Sequence, residues 1–276
     1  MTNLGDSAAP SGSAVEANAL SSALCSSEVT ATSTNVAAQL VAGDVRAHFG
    51  GVHALKGASL GLRRGQLVGL IGPNGAGKTT LLNCISGFVR PSGGFVTLDG
   101  EEITRLSPQQ RAARGILRTF QAIRLFKRLS VRENVEVGAL AAGKVNRGKA
   151  TQVADAILAR VGIEHLANRY AEGLSYGDQR RLELARALSA APQFLLLDEP
   201  AAGMNEQESE QLGVTIRRIC AEEECGVLLV EHDLQLIMRV CDYVYVLSDG
   251  AMISEGTARH VRADPAVITA YVGEEL

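Results

Sequence analysis

The stretch that decides the fold is Gly72-Pro73-Asn74-Gly75-Ala76-Gly77-Lys78-Thr79-Thr80, which matches the pattern G-x-x-x-x-G-K-S/T. It lies between an apolar run at residues 66–71 and a helical pattern that starts at Lys78. Glycines allow backbone turns that aim consecutive N–H groups at one anion, and the helix adds its positive N-terminal end. The stretch therefore predicts a strand, a phosphate-binding loop and a helix. Lys78 is expected to reach the β- and γ-phosphates of a nucleotide, and the Thr79 hydroxyl to bind Mg²⁺.

A second motif places two carboxylates at the end of a predicted strand. It reads Phe194-Leu195-Leu196-Leu197-Asp198-Glu199-Pro200, so that four apolar residues lead directly into the acids. Open α/β sheets bind ligands at the carboxyl ends of their strands, which puts both acids beside the phosphates. Asp198 is predicted to hold Mg²⁺, and Glu199 to orient or deprotonate the attacking water. Because two adjacent carboxylates would repel a triphosphate without a cation, the pair also implies the metal.

Apolar patterns on both sides of these motifs predict further strands and helices. The predicted strands are residues 40–49, 52–62, 66–71, 95–98, 194–197, 227–230 and 243–247. The predicted helices are residues 78–86, 178–190, 205–224 and 233–240, and a helical period also extends from 107 to about 170. The first two strands alternate in polarity, which favours antiparallel pairing. The late strands are continuous apolar runs separated by helices, which is typical of a parallel sheet buried on both faces.

Composition excludes several classes of protein. The 276 residues carry 27 Lys and Arg against 30 Asp and Glu, and the sequence has no Trp, so neither a basic surface nor an aromatic platform for nucleic acid is expected. No apolar run approaches the roughly 20 residues that span a bilayer, so any role at a membrane is expected to pass through a partner. The five cysteines are scattered without a C-x-x-C pair, which indicates reduced thiols instead of a disulfide frame or a zinc site.

Residues 1–39 differ from the rest of the chain. They are rich in Ser, Ala and Thr, they contain no Lys or Arg, and Asp6, Glu16 and Glu28 are their only charged side chains. They lack the basic start and uninterrupted apolar stretch of an export signal and the arginines of a transit peptide. The sequence therefore predicts a disordered extension at 1–39, followed by one folded domain at 40–276.

Three more segments complete a known pattern. They are Leu174-Ser175-Tyr176-Gly177-Asp178-Gln179, which is followed by a helix, the run that ends in Gln121, and His232 after a late strand. With the glycine-rich loop and the acidic strand end, they make the chain resemble the ATP-binding subunits of ABC transporters over about residues 40–276. The resemblance implies an α/β fold. It would have a P-loop NTPase core with a mostly parallel sheet, an N-terminal antiparallel β subdomain and an inserted α-helical subdomain at about 105–190.

The resemblance also implies roles for individual residues. Phe49 would stack on adenine, Gln121 would contact the γ-phosphate and the metal and link to the membrane partner, and His232 would lie near the γ-phosphate. Ser175 and Gly177 would touch ATP held by the other subunit. Together the implied groups are catalytic Glu199, His232, Gln121 and Lys78; nucleotide-binding Phe49, Gly72, Pro73, Asn74, Gly75, Ala76, Gly77, Lys78, Thr79, Thr80, Ser175 and Gly177; and metal-binding Thr79, Gln121 and Asp198.

Three residues depart from the commonest family pattern. Tyr176 replaces a glycine of the segment at 174–179, and Asp178 replaces its usual glutamine. Asn205 replaces the more usual aspartate of the loop that crosses the dimer interface in this family. These departures concern the geometry of the interface and leave the nucleotide site intact.

Longer runs are similar to the branch that imports branched-chain amino acids. They include Arg118-Thr119-Phe120-Gln121, Tyr176-Gly177-Asp178-Gln179-Arg180-Arg181-Leu182-Glu183 and the tail from Asp264 to Glu274. This resemblance implies ATP and Mg²⁺ as cofactors, a second ATP-binding subunit, identical or a sister, and two permease subunits. It also implies indirect contact with a solute-binding protein, attachment to the cytoplasmic face of the inner membrane, and no nucleic-acid partner.

Other assignments stay open on the sequence. The chain could serve an ABC transporter of lipopolysaccharide or another substrate, or it could be a soluble non-transport ABC ATPase. A P-loop kinase or GTPase is a further class, although it would need neither Ser175 and Gly177 before a helix nor His232 after a late strand. The basic stretch at residues 111–132 is expected to be a solvated face, a docking surface for the membrane subunit or a surface that contacts lipid headgroups.

Overall fold

The computed structural model describes residues 39–143 and 145–272. The predicted disordered extension therefore lies, apart from Gln39, outside the described residues. The strands are β1 (Leu40–Phe49), β2 (Val52–Leu62), β3 (Leu67–Ile71), β4 (Gly93–Leu98), β5 (Glu101–Glu102), β6 (Ile116–Arg118), β7 (Phe194–Asp198), β8 (Gly226–Val230), β9 (Tyr243–Ser248) and β10 (Ala251–Gly256). The helices are α1 (Lys78–Ser86), α2 (Pro108–Ala113), α3 (Val131–Ala141), α4 (Arg147–Val161), α5 (Tyr176–Leu188), α6 (Glu206–Glu222), α7 (Leu234–Val240), α8 (Ala258–Ala263) and α9 (Pro265–Val272).

The strands form two sheets. The antiparallel sheet has the order β2-β1-β4-β5, and the larger sheet has the order β10-β9-β3-β8-β7-β6. Strands β9, β3, β8, β7 and β6 are parallel, and only β10 runs antiparallel, at one edge. The mostly parallel core and the N-terminal antiparallel sheet expected from the sequence are thereby confirmed.

Burial on both faces explains why the central strands are continuous apolar runs. Every residue of β3, β7 and β8 is buried. Successive side chains point to opposite faces, so Leu67 and Ile71 join a core with the helices on one side. Val68 and Leu70 join a second core with α1 and the antiparallel sheet on the other side. The carboxyl ends of the strands are therefore held rigidly between two cores.

Side-chain caps define where several helices begin. Ser107 and Ser130 accept hydrogen bonds from the third N–H groups of α2 and α3, and Asn205 does the same for α6. Helices α3, α4 and α5 contribute Val135, Leu158 and Leu182 to a shared core. A distinct helical subdomain at about 105–190 stays a prediction.

One expectation for this region was wrong. The helical period extends across residues 107–170, but the structure contains strand β6 within it. Ile116 and Leu117 pair in parallel with Phe194 and Leu195 of β7, because the edge of the large sheet offers them hydrogen bonds that a helix could not use there. A strand of three residues is too short to produce a pattern of its own. The sequence also did not predict β10, α8 or α9.

Within residues 39–143 and 145–272, no helix combines the length and the apolar character needed to cross a bilayer.

Candidate functional site

The glycine-rich loop connects β3 to α1 in a space that only glycine fits at two positions. Gly72 has φ +148°, and a Cβ atom there would lie 1.9 Å from the carbonyl oxygen of Leu247. Gly77 has φ +103°, and its Cβ would lie 2.5 Å from the carbonyl oxygen of Ala54. Backbone carbonyl groups of β9 and β2 therefore lie in close contact with the loop. Asn74, in the same loop, is exposed.

Lys78, the first residue of α1, is buried against the loop. Its ammonium Nζ donates to the carbonyl oxygens of Gly72, at 2.5 Å, and Pro73, at 2.8 Å. The positive charge thus lies where the loop encloses it, while the neighbouring Thr79 is exposed. A buried ammonium in a glycine-rich loop, at the positive end of a helix, suits a phosphate chain.

Three predicted catalytic residues meet in direct contact. Gln121 Nε2 donates to Glu199 Oε2 at 2.8 Å, and His232 Nε2 lies 2.6 Å from Glu199 Oε1. They follow β6, β7 and β8, which are neighbours in the large sheet, so their carboxyl ends meet at one edge. Glu199 has φ +49°, a conformation that side-chain-bearing residues rarely adopt and that is common at functional sites. The structure thus brings these three residues together, and their catalytic roles stay predictions.

Asp198 is paired with an arginine that the sequence analysis had placed in the basic stretch. Arg118 Nη2 donates to Asp198 Oδ2 at 2.8 Å, and both side chains are only 5% exposed. Arg118 also donates to Ser86 Oγ at 3.3 Å and to Asn83 Oδ1, both on α1. The carboxylate of Asp198 is therefore anchored beside the helix that carries Lys78. Hard oxygen groups such as this carboxylate and the Thr79 hydroxyl fit Mg²⁺.

The reading of residues 111–132 as a solvated face or a docking surface was wrong for two of its members. Arg118 is buried as described, and Arg111 is 1% exposed. Burying a guanidinium is costly unless its donors find acceptors, and every Nη atom of both side chains has at least one, whereas the buried Nε of Arg118 has none. Both arginines therefore connect buried segments by hydrogen bonds, Arg111 joining α1 to Thr104 and Arg118 joining α1 to Asp198.

The remaining expected residues lie elsewhere. Phe49 ends β1 and is 50% exposed, as a residue that stacks on a ligand has to be. Ser175 caps α5 through its contacts with Asp178. A Cβ atom on Gly177 would lie 3.1 Å from Glu208 Oε1, so Gly177 adjoins the start of α6, which Asn205 caps.

Glu231 is a further carboxyl in this region, and the sequence analysis did not single it out. It is buried, and Oε1 accepts the N–H of Ala201 at 2.7 Å. Burial raises the pKa of Glu231 to about 7, while bonds from the N–H groups of Ala201 and His232 oppose the rise. Glu231 thus ties the turn after β7 to the turn after β8. The only sequence signal for Glu231 among the features considered was its position directly before His232.

The loop between strand and helix, the acidic strand end and the converging Gln121, Glu199 and His232 define the class of an ATP-binding cassette. The family model described as "ABC transporter" matches residues 55–202. The chain therefore belongs to the ABC transporter family, and it is an ATPase whose hydrolysis is coupled to transport. A second model, described as "Branched-chain amino acid ATP-binding cassette transporter", matches residues 251–276.

Curated relatives support the same family. The chain is 42% identical over 240 residues to the high-affinity branched-chain amino acid transport ATP-binding protein BraF of Pseudomonas aeruginosa, covering 82% of this chain and 94% of the relative. It is 41% identical over 240 residues to the high-affinity branched-chain amino acid transport ATP-binding protein LivG of Escherichia coli, covering 82% of this chain and 94% of the relative. It is 35% identical to the lipopolysaccharide export system ATP-binding protein LptB of Haemophilus influenzae, over 79% of this chain and 90% of the relative.

Solved structures agree on the fold. The ADP conformation of an ATP-binding cassette of an ABC transporter superimposes with a TM-score of 0.78 at 30% identity, covering 86% of this chain and 99% of that one. A dimeric bacterial ABC transporter cassette gives a TM-score of 0.71 at 27% identity, covering 80% of this chain and 99% of that one.

Proposed function

We propose that the chain is the ATP-hydrolysing subunit of an importer of branched-chain amino acids. The observation that carries the hydrolytic part is the contact of Gln121 and His232 with the two carboxylate oxygens of Glu199. The cargo is supported by the match of residues 251–276 and by the names of the relatives.

The glycine-rich loop and Lys78 bind the triphosphate. The N–H groups of residues 74–80 surround the phosphates, and Lys78 exchanges its bonds to the carbonyls of Gly72 and Pro73 for phosphate oxygens. Thr79, Asp198 and Gln121 would hold Mg²⁺, which would neutralise negative charge on the triphosphate. Phe49 stacks on adenine from the end of β1.

Glu199 acts on the attacking water. Its carboxylate accepts a proton or a hydrogen bond from that water, which orients the water in line with the γ-phosphorus. His232 and Gln121 fix the orientation of the carboxylate, because each contacts a different oxygen of it. These residues contribute mainly by placement and charge stabilisation, which is what phosphoryl transfer requires.

Partner subunits complete the transporter. Ser175 and Gly177 bind ATP held by a second ATP-binding subunit, either an identical chain or a sister. A cleft of about 570 Å³ beside the loop of Gln121, lined by Phe120, Arg124 and Phe126 among others, receives one of two permease subunits. This arrangement places the chain on the cytoplasmic face of the inner membrane, and contact with a solute-binding protein is indirect.

The experiment for the hydrolytic role compares Glu199→Gln with the native protein. Because Gln cannot act as a base, we expect the hydrolysis rate to fall by roughly 10²–10⁴ while ATP binding, measured by calorimetry, persists. Lys78→Ala should instead weaken ATP binding itself. Glu222→Gln, an exposed position late in α6, is the matched control. Full turnover in Glu199→Gln would refute the assignment.

The cargo is tested separately, in cells that carry the Glu199→Gln chain in place of the native one. Uptake of labelled leucine should be lost, whereas uptake of an unrelated solute should continue. Unchanged leucine uptake, together with inactive purified Glu199→Gln protein, would leave the ATPase assignment standing and refute the cargo.

A further inference from the structure

Arg180, in the first turns of α5, is a buried cation that none of the roles above uses. Its side chain is 2% exposed, and each terminal nitrogen has two acceptors. Nη2 donates to the carbonyl oxygen of Gln121 at 2.7 Å and to Tyr176 Oη at 2.8 Å. Nη1 donates to Glu183 Oε2 at 3.3 Å and to the carbonyl oxygen of Phe120 at 3.4 Å. One guanidinium therefore fastens the loop of Gln121 to the start of α5.

Tyr176 extends this contact in a second direction. The guanidinium of Arg180 lies 5.3 Å from the centre of its ring, and the ring is 44% exposed. On its other side, a Cβ atom built on Gly203 would lie 3.1 Å from Cε1 of Tyr176. Gly203 has φ +81°, so the turn at 199–205 passes the tyrosine with no side chain between them. Glycine, which occupies position 176 in the commonest family pattern, could not make either contact.

These contacts form a closed series of interactions that includes Glu199, the proposed catalytic residue. Arg180 holds the backbone of Gln121, and the side chain of Gln121 donates to Glu199 Oε2 at 2.8 Å. Glu199 is four residues before Gly203 in the same turn. Gly203 contacts Tyr176, and the hydroxyl of Tyr176 accepts a hydrogen bond from Arg180. The loop after β6, the turn after β7 and the start of α5 are thus joined by two side chains of α5.

We propose that Arg180 and Tyr176 are positioning residues for hydrolysis. They set the placement of Gln121 and Glu199, and they transmit any displacement of α5 to the Glu199 carboxylate. The inference rests on the roles proposed for Glu199 and Gln121. A single fork of donors is needed because one side chain has to donate to two carbonyl groups and one hydroxyl, which a lysine ammonium cannot do with the same planar geometry.

Two conservative variants test the proposal. Tyr176→Phe removes only the hydroxyl, and Arg180→Lys keeps the charge beside Glu183 while removing the fork. Each should lower kcat by roughly tenfold, the equivalent of one hydrogen bond to a charged group, with KM for ATP changed less than about twofold. The double variant should be no slower than Arg180→Lys, because both substitutions break the same connection.

A readout on the nucleotide-free protein separates positioning from a structural role. In both variants, amide hydrogen exchange should become faster at 119–123 and 199–205 and stay unchanged in α3. Tyr170→Phe, at an exposed tyrosine, and Arg132→Lys, at an exposed ion pair with Asp155, are the matched controls. They should alter neither kcat nor exchange at these two segments.

The failures are distinguishable. If Glu199→Gln is inactive but both variants keep native kcat and native exchange, the positioning role is refuted and the proposed function stands. If Glu199→Gln is fully active, the proposed function fails first, and this inference fails with it. If Arg180→Lys loses kcat only in proportion to the folded protein it loses, as measured by thermal unfolding, Tyr176→Phe decides, because it deletes one oxygen only. Native kcat and native exchange in Tyr176→Phe would then overturn the positioning role.

Discussion

At the scale of the residue, Glu231 is a carboxyl group that folding transfers from water to the interior. Burial raises its pKa to about 7, and the nearby charges of Glu199 and Asp233 also favour the protonated form. The unfolded chain has a value near 4.5 at this position. The contribution of Glu231 to stability is therefore complete below about pH 4.5, and it is lost as the pH rises through about 7.

Glu231→Gln should remove this dependence, because the amide resembles the protonated acid and can still accept the N–H of Ala201. We expect the free energy of unfolding of the variant, relative to the native protein, to increase between pH 5 and pH 8 by up to about 3 kcal/mol. Denaturant unfolding at a series of pH values measures the difference. A difference that does not vary with pH would show that Glu231 is ionised in the folded protein at pH 5.

Some residues of the candidate site could be predicted from the sequence and others could not. Glu199 and His232 were predictable because each follows a predicted strand and belongs to a recognisable motif. Gln121 was predictable from its motif alone, since β6, the strand before it, was not predicted. Arg180 was not, because its partner Gln121 lies 59 residues away and the contact depends on how α5 packs against the loop. Arg118 was misread for a related reason, since its burial follows from β6 joining the large sheet.

At the scale of the element, α1 is fastened at both ends. Its start carries Lys78, and the carbonyl groups of Cys84 and Ile85 at its end accept hydrogen bonds from Arg111 Nη1 at 2.7 and 2.6 Å. Arg111 Nη2 also donates to the carbonyl oxygen of Thr104 at 2.9 Å. A cation at a helix C-terminus satisfies carbonyls that lack partners within the helix and complements the dipole.

Arg111→Met should therefore destabilise the protein by at least about 3 kcal/mol, since it leaves several buried carbonyl groups unpaired. Arg114→Met, three residues later, is the matched control, because Arg114 is partly exposed and paired with Glu101. Its cost should stay below about 1 kcal/mol. Denaturant unfolding measures both. Equal, small effects would mean that the carbonyl groups at the end of α1 find water instead.

Element prediction from sequence succeeded where burial produced a long pattern. Strands β3, β7 and β8 were predicted because both of their faces are buried, so that their residues are apolar or small except for Asp198 at the end of β7. Strand β6 was not, because Ile116–Arg118 become a strand only by pairing with β7. The order of strands was also beyond reach, because apolar runs do not reveal which neighbours pair.

At the scale of the whole molecule, the proposed nucleotide contacts are divided between two regions. Lys78 and its loop lie at the carboxyl end of β3, whereas Ser175 caps α5 and Gly177 adjoins Glu208 at the start of α6. A dimer in which each chain supplies one region to the other would complete two sites, and a dimeric cassette is among the similar structures. A two-fold axis makes both sites equivalent.

Such a shared site has a consequence for the purified chain. Its ATPase activity per mole should fall on dilution, because monomers lack a complete site. Lys78→Ala and Gly177→Asp, each inactive alone, should recover about a quarter of the native activity when mixed equally, because half of the dimers are mixed and each mixed dimer has one intact site. Gly177→Asp should still bind ATP through Lys78, which calorimetry checks. Activity per mole that is independent of concentration, with no recovery on mixing, would instead place all the contacts needed for hydrolysis within one chain.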